Sequence, residues 1–116
     1  MATEERQTRA AHNQALFRSI NESVRAVSES GVPSNETIGF LCECADPSCT
    51  QTINLTLAEY ESARQVPTHF PIAVSHEWPD VERVVERYKR YEVVEKFGEA
   101  AKAAEEIWRE SSAEND

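Results

Sequence analysis

All the cysteines of the chain fall within one short segment. They are Cys42, Cys44 and Cys49, separated by one residue and then by four. On a strand, residues two apart point to the same side, so the first two sulfurs can approach a single ion. Asp46-Pro47-Ser48 has the composition of a turn that would bring the third sulfur round. This segment, residues 42–49, is called the knuckle below, and its three thiolates predict a tetrahedral metal site that needs one more ligand.

His76 is the predicted fourth ligand. It is chosen by elimination among the three histidines and by its position in the alternating pattern of a strand. A strand through this region would place it on one face with three apolar side chains, those of Phe70, Ile72 and Val74. His69 would point to the opposite face, and His12 lies on the polar side of the N-terminal helix. Asp46 and Glu43 are the alternative ligands. A lone histidine on an apolar face can also be a hydrogen-bonded core residue, and that interpretation stays open.

Structural Zn²⁺ is the metal that this ligand set predicts. Thiolates select zinc or an iron–sulfur cluster, and a cluster usually requires four cysteines. The competing hypothesis is that the cysteines are small buried apolar residues. Four protein ligands leave no position for substrate, and His76-Glu77 lacks the spacing of the hydrolytic and deaminase zinc motifs. With three glycines in total, phosphate-binding loops are excluded. We therefore predict that the chain is not an enzyme.

The length and the net charge of the chain limit the kinds of partner that it can bind. A chain of 116 residues forms one small core, which a metal or a partner subunit often stabilises. The net charge of −9, from 12 basic and 21 acidic residues, disfavours nucleic acid and anionic membranes. The charged N-terminus has no apolar core of a signal peptide, and no apolar stretch reaches membrane-spanning length. With an odd number of cysteines, these features predict a cytoplasmic protein with reduced thiols.

The N-terminal segment, residues 1–33, is predicted to contain one amphipathic helix over about 3–30. Its apolar residues recur at helical spacing, and Gly31 and Pro33 end it. We expect this stripe to dock on the domain core, and a homodimer or partner contact through the helix is the alternative. The stripe consists of Leu16, Phe17, Ile20, Val24 and Val27.

Residues 34–98 are predicted to form the zinc-knuckle domain. A strand over 38–44 is followed by an antiparallel strand over 53–57, and Thr56 and Glu59 fit a capping box that opens a short helix. A third strand, over 70–76, should lie at a sheet edge because Pro71 cannot donate a hydrogen bond.

Residues 81–96 fit either a helix or a hairpin, and we favour the hairpin for its β-branched residues. Residues 99–116 are predicted to form a C-terminal helix, with a disordered acidic tail from Ser111. The predicted fold class is thus α+β: a long N-terminal helix, a small antiparallel sheet carrying a Cys3His zinc knuckle, and a C-terminal helix.

Several short motifs resemble those of a group of small actinobacterial proteins. The similarity runs from about Ala15 to Gly98 and centres on F-x-C-E-C-x4-C at residues 40–49, on His76, and on V-V-E-K at residues 93–96. The resemblance implies that the three cysteines and the histidine belong together and that the valine-rich hairpin is part of the domain. It implies no activity. That group usually has glycine where this chain has Ser75.

The function that these observations predict is a non-enzymatic, zinc-stabilised regulatory or adaptor domain that binds another protein. Tyr60, Trp78 and Tyr88 are candidate contact residues, because aromatic side chains often anchor interfaces. The alternative is a zinc- or thiol-dependent enzyme or a redox sensor. An enzyme would need an open coordination position and a carboxylate within reach of it.

Overall fold

The computed structural model describes residues 2–29, 31–46 and 48–114, which form an α+β fold with two small antiparallel sheets. The predicted fold class is therefore confirmed. In chain order the elements are α1 (Ala2–Ser28), β1 (Ile38–Leu41), β2 (Thr52–Leu55), α2 (Leu57–Ala63), β3 (His69–Ile72), β4 (Glu82–Arg87), β5 (Glu92–Lys96) and α3 (Gly98–Glu114).

The first sheet pairs β1 with β2 and leads directly into the knuckle. Ile38 lies opposite Leu55 and Leu41 opposite Thr52, in the antiparallel arrangement that the alternating residues predicted. β1 ends at Leu41, earlier than expected, but the Cys42 N–H still donates to the Gln51 carbonyl at 2.9 Å. The sheet thus fixes where the first cysteine begins its approach to the site.

The capping box at the start of α2 is confirmed. The Glu59 N–H donates to Thr56 Oγ1 at 3.1 Å, and the Thr56 N–H donates to Glu59 Oε1 at 2.9 Å. Two backbone donors that the helix leaves unpaired are satisfied in this way.

The second sheet has the order β3-β5-β4, with β3 at an edge as Pro71 predicted. Residues 81–96 form the predicted hairpin, so the helical alternative is wrong. Val84 pairs with Val94 and Glu86 with Val93, which leaves Val85 in a bulge. Gly98, with φ of 60°, follows β5 and begins α3, where a left-handed backbone favours glycine.

Helix α1 docks through a polar face, so the prediction that its apolar stripe faces the core is wrong for most of that stripe. Leu16, Ile20 and Val27 are 59%, 43% and 79% exposed, whereas Gln14 and Asn21 are completely buried. Val24 alone of the stripe packs against the central core. The reason is that the polar face meets backbone groups of residues 41–45 and the carboxylates of Glu43 and Glu82, which need hydrogen-bonding side chains.

Helix α3 packs along α1 and buries Ala100 and Ala104. It continues to Glu114, past the expected start of the tail at Ser111, and residues 115–116 lie outside the described part of the chain. Among the described helices, none combines the length and the apolar character needed to cross a bilayer.

A buried ion pair joins the two strands of the hairpin. Lys96 Nζ lies 3.3 Å from Glu82 Oε1, with neither side chain accessible to solvent, and burial lowers the pKa of Lys96. Glu82 also accepts hydrogen bonds from the Gln14 side chain at 3.2 Å and from the Trp78 N–H at 2.9 Å.

Lys96→Met should therefore lower the free energy of unfolding by about 3 kcal/mol, because it leaves a buried carboxylate without its cation. The two remaining donors keep the loss at the lower end of what such changes cost. Lys102→Met is the matched control, since Lys102 is 73% exposed and its ion pair contributes about 0.5 kcal/mol or less. Denaturant titration of both variants measures the difference, and equal losses would contradict the expected role of the buried pair.

Candidate metal centre

The four predicted ligands come together in space. The Sγ atoms of Cys42, Cys44 and Cys49 and a ring nitrogen of His76 all lie within 4.8 Å of one another. His76 Nδ1 is 3.6 Å from Cys42 Sγ and 3.7 Å from Cys49 Sγ. Around a tetrahedral zinc ion, with Zn–S of about 2.3 Å, ligand atoms are separated by roughly 3.5–3.8 Å. The donor atoms therefore fit a metal ion, and this group could hold one.

Cys49 is placed by a tight turn that Asp46 organises. The Cys49 N–H donates to the Asp46 carbonyl at 3.1 Å. Asp46 Oδ1 accepts the Ser48 N–H at 2.9 Å and the Ser48 hydroxyl at 2.7 Å, and these bonds lower the pKa of the Asp46 carboxyl. Asp46 was an alternative ligand, but its carboxylate is used to shape the loop that presents Cys49.

His76 reaches the site from a turn and not from a strand, so the expectation that β3 would carry it is wrong. β3 ends at Ile72, and the His76 N–H donates to the Ala73 carbonyl at 3.1 Å. Ser75 adopts a left-handed backbone, with φ of 68°, and its N–H donates to Glu92 Oε1 at 3.1 Å. The same turn places the Ala73 N–H 3.1 Å from Cys42 Sγ, where it donates to the sulfur.

Ser75→Val should destabilise this turn by about 1–3 kcal/mol, since a β-branched residue is strained at positive φ. Ser75→Gly is the matched control, because glycine adopts this conformation without strain and the exposed Ser75 side chain has no partner to lose. Thermal unfolding and metal affinity measured on both variants test this. A valine variant as stable as the glycine variant would contradict the left-handed turn.

The centre has a buried side and a partly exposed side. Cys42 and Cys44 are each 1% exposed, whereas Cys49 and His76 are half-buried. A hydrogen bond from the Cys42 thiol is the main cause that lowers the pKa of Cys44 to about 5, and the same bond raises the pKa of Cys42. The protein groups by themselves thus favour a thiolate at Cys44, which is the form that binds metal.

Glu43, the other alternative ligand, is turned away from the sulfurs. It is completely buried; its Oε1 accepts a hydrogen bond from Arg18 Nε at 3.1 Å, and its Oε2 accepts one from Asn21 Nδ2 at 2.8 Å. The Tyr60 hydroxyl lies 3.3 Å from the same Oε2. Burial raises the pKa of the Glu43 carboxyl, and Arg18, Asn21 and Tyr60 oppose that effect.

The residues of α1 that bind the knuckle were not predicted from the sequence. Gln14, Arg18 and Asn21 recur at spacings of four and three, which places three polar side chains on one face of a helix. That spacing was the available signal, but such a face is usually solvated. The prediction that Tyr60 is an exposed contact residue is also wrong, since Tyr60 is completely buried and stacks on Phe40 at 4.3 Å.

The other two histidines lie outside the ligand group. His69 Nε2 contacts Glu95 Oε2 at 3.1 Å on the second sheet, and His12 is exposed on α1. Both placements agree with the choice of His76 over them.

Comparison of the chain with protein-family models, with curated proteins and with solved structures found no match. Three sulfurs and one ring nitrogen of this chain lie within 4.8 Å of one another and could hold a metal ion, as the four ligands of a tetrahedral site would.

Proposed function

We propose that this chain is a zinc-stabilised, non-enzymatic regulatory or adaptor domain that binds another protein. The observation that carries the proposal is the convergence of Cys42, Cys44, Cys49 and His76, whose donor atoms lie within 4.8 Å of one another. Zinc is the metal that three thiolates and an imidazole favour, and it binds such sets as a structural ion. The same need for reduced thiolates supports a cytoplasmic location.

The surroundings of the centre support a structural metal. Both carboxylate oxygens of Glu43 are engaged by Arg18, Asn21 and Tyr60, and the Asp46 carboxylate is engaged by Ser48. A hydrolytic zinc site instead needs a bound water and a free carboxylate that can accept its proton. The Glu43 carboxylate, with both oxygens engaged, is not placed for that task.

A protein partner is supported by the exposed face of α1. Leu16, Ile20 and Val27 lie along one side of the helix and are exposed, although the other face is docked. An amphipathic helix with its apolar side open is a common protein-binding element. The negative net charge argues against nucleic acid as the partner. The partner is a second protein or a second copy of this chain.

The proposal is tested by capturing partners on immobilised zinc-loaded protein and by sedimentation equilibrium of the free protein. Leu16→Ser combined with Ile20→Ser should abolish the association, whereas Ser19→Ala, at a neighbouring exposed position, should retain it. Turnover of a small molecule by the zinc-loaded protein would overturn the non-enzymatic role. A specific partner retained equally by the double variant would overturn the assignment of the surface.

A redox sensor is the second candidate, and the partial exposure of Cys49 favours it. Peroxide would oxidise this thiolate to a sulfenic acid, which a neighbouring thiolate would convert to a disulfide with release of the metal. Metal release at low peroxide concentrations, reversed by a thiol reductant, would support this role over a purely structural one.

A further inference from the structure

Residues 41–45 lie between α1 and the metal centre, with one side of the segment facing the helix and the other side facing the metal centre. Leu41, Glu43 and Ala45 contact α1, whereas Cys42 and Cys44 carry ligand sulfurs. This is the two-residue alternation of a strand, continued beyond the end of β1. A displacement of the helix-facing residues would therefore move the two cysteines between them. Residues 41–45 are called the ligand segment below.

Three side chains of α1 bind this segment, through hydrogen bonds to its backbone and to the Glu43 side chain. Asn21 binds Leu41 as a strand would, donating to its carbonyl at 2.9 Å and accepting from its N–H at 2.8 Å. Gln14 donates to the Glu43 carbonyl at 2.8 Å. Arg18 pairs with the Glu43 carboxylate, donates to the His69 carbonyl, and lies 4.1 Å over the Phe70 ring.

We propose that α1 sets the affinity of the metal centre, with Gln14, Arg18 and Asn21 as positioning residues for the sulfurs of Cys42 and Cys44. The inference rests on the proposed metal site and adds its regulation. The coupling between two linked binding sites is reciprocal. If zinc binding changes the affinity of the exposed apolar face of α1 for a partner, that partner changes the zinc affinity by the same factor. The helix then connects partner binding with metal retention.

Arg18→Ala gives the decisive test, because Arg18 touches the ligand segment without touching the metal. Loss of an outer residue that orients metal ligands typically weakens metal affinity by about 10–100-fold. We expect the release of Zn²⁺ to a chromophoric chelator, measured well below the unfolding temperature, to accelerate over that range. The visible spectrum of the Co²⁺-loaded protein should change as well, since the geometry of the two sulfurs is altered.

Two controls separate positioning from general stability. Arg25→Ala removes an arginine on the same helix whose ion pairs within the described part of the chain are with Glu22, Glu29 and Glu61, and it should leave the release rate within about twofold. Val94→Ala removes apolar volume at a position of β5 that pairs with Phe70 and Val84 in the second sheet, and it lowers the general stability of the domain. Arg18→Lys keeps the charge but not the fork of donors, and should restore only part of the retention.

The outcomes are distinct. Faster release and an altered Co²⁺ spectrum in Arg18→Ala, with both controls close to the wild type, support the inference. Equal release from Arg18→Ala and Arg25→Ala, or acceleration in Val94→Ala as large as in Arg18→Ala, overturns it while the metal site stands. Failure of the wild-type protein to bind Zn²⁺ rejects the proposed metal site itself. If Arg18→Ala does not fold, the same comparison is decided with Arg18→Lys.

Discussion

Cys42→Ser is expected to abolish stoichiometric metal binding and to remove the cooperative thermal unfolding transition of the domain. A structural zinc ion contributes on the order of 10–16 kcal/mol in zinc-finger peptides. Whole domains of ordinary stability have only about 5–15 kcal/mol. Cys42 is also buried in the core cluster with Phe40, Tyr60 and Phe70, so disruption at this position spreads into both sheets. Metal content by mass spectrometry and unfolding by circular dichroism measure the two effects.

Thr50→Ala is the control for this experiment, since Thr50 is exposed and directly follows Cys49. It should keep full metal content and lose no more than about 0.5 kcal/mol, as surface substitutions usually do. A Cys42→Ser protein that unfolds cooperatively at the wild-type temperature would show that the fold does not depend on the metal centre.

Glu43→Ala should lower the free energy of unfolding by at least about 4 kcal/mol. Breaking a buried ion pair by removing one partner typically costs about 3–5 kcal/mol. Here the change also leaves a buried N–H of the Asn21 side chain without this acceptor. Denaturant titration of the metal-loaded protein measures the loss.

Glu43→Gln should fall between the wild type and Glu43→Ala, because the amide keeps the shape and one acceptor but not the charge that faces Arg18. Glu36→Ala, at an exposed glutamate, is the control and should be within about 0.5 kcal/mol of the wild type. Were Glu43→Ala no more damaging than Glu36→Ala, the buried network between α1 and the knuckle would have no energetic role.

The features that the sequence predicted well are those decided by neighbouring residues. Thr56 and Glu59 are three apart, so their capping box depends on one turn of backbone. The spacing of Cys42, Cys44 and Cys49 likewise restricts which side each sulfur can occupy. The β-branched residues of 81–96 favoured the hairpin, and the bulge at Val85 interrupts the two-residue alternation of its first strand.

The features that it missed depend on what lies across the fold. The docked face of α1 is polar because Glu43 and the Leu41 backbone lie beneath it, and nothing within residues 2–28 specifies that surface. The path of His76 was wrong because β3 stops at Ile72 and a left-handed residue at Ser75 redirects the chain. His76 itself was singled out because the chain has only two other imidazoles.

X-ray absorption at the zinc edge, on protein purified under reducing conditions, tests the central claim most directly. A Cys3His centre predicts one zinc ion per chain with three sulfurs at about 2.3 Å and one nitrogen at about 2.0–2.1 Å. Protein that carries no zinc while its three thiols are reduced and it remains folded would contradict the claim. So would a zinc shell made only of nitrogen and oxygen.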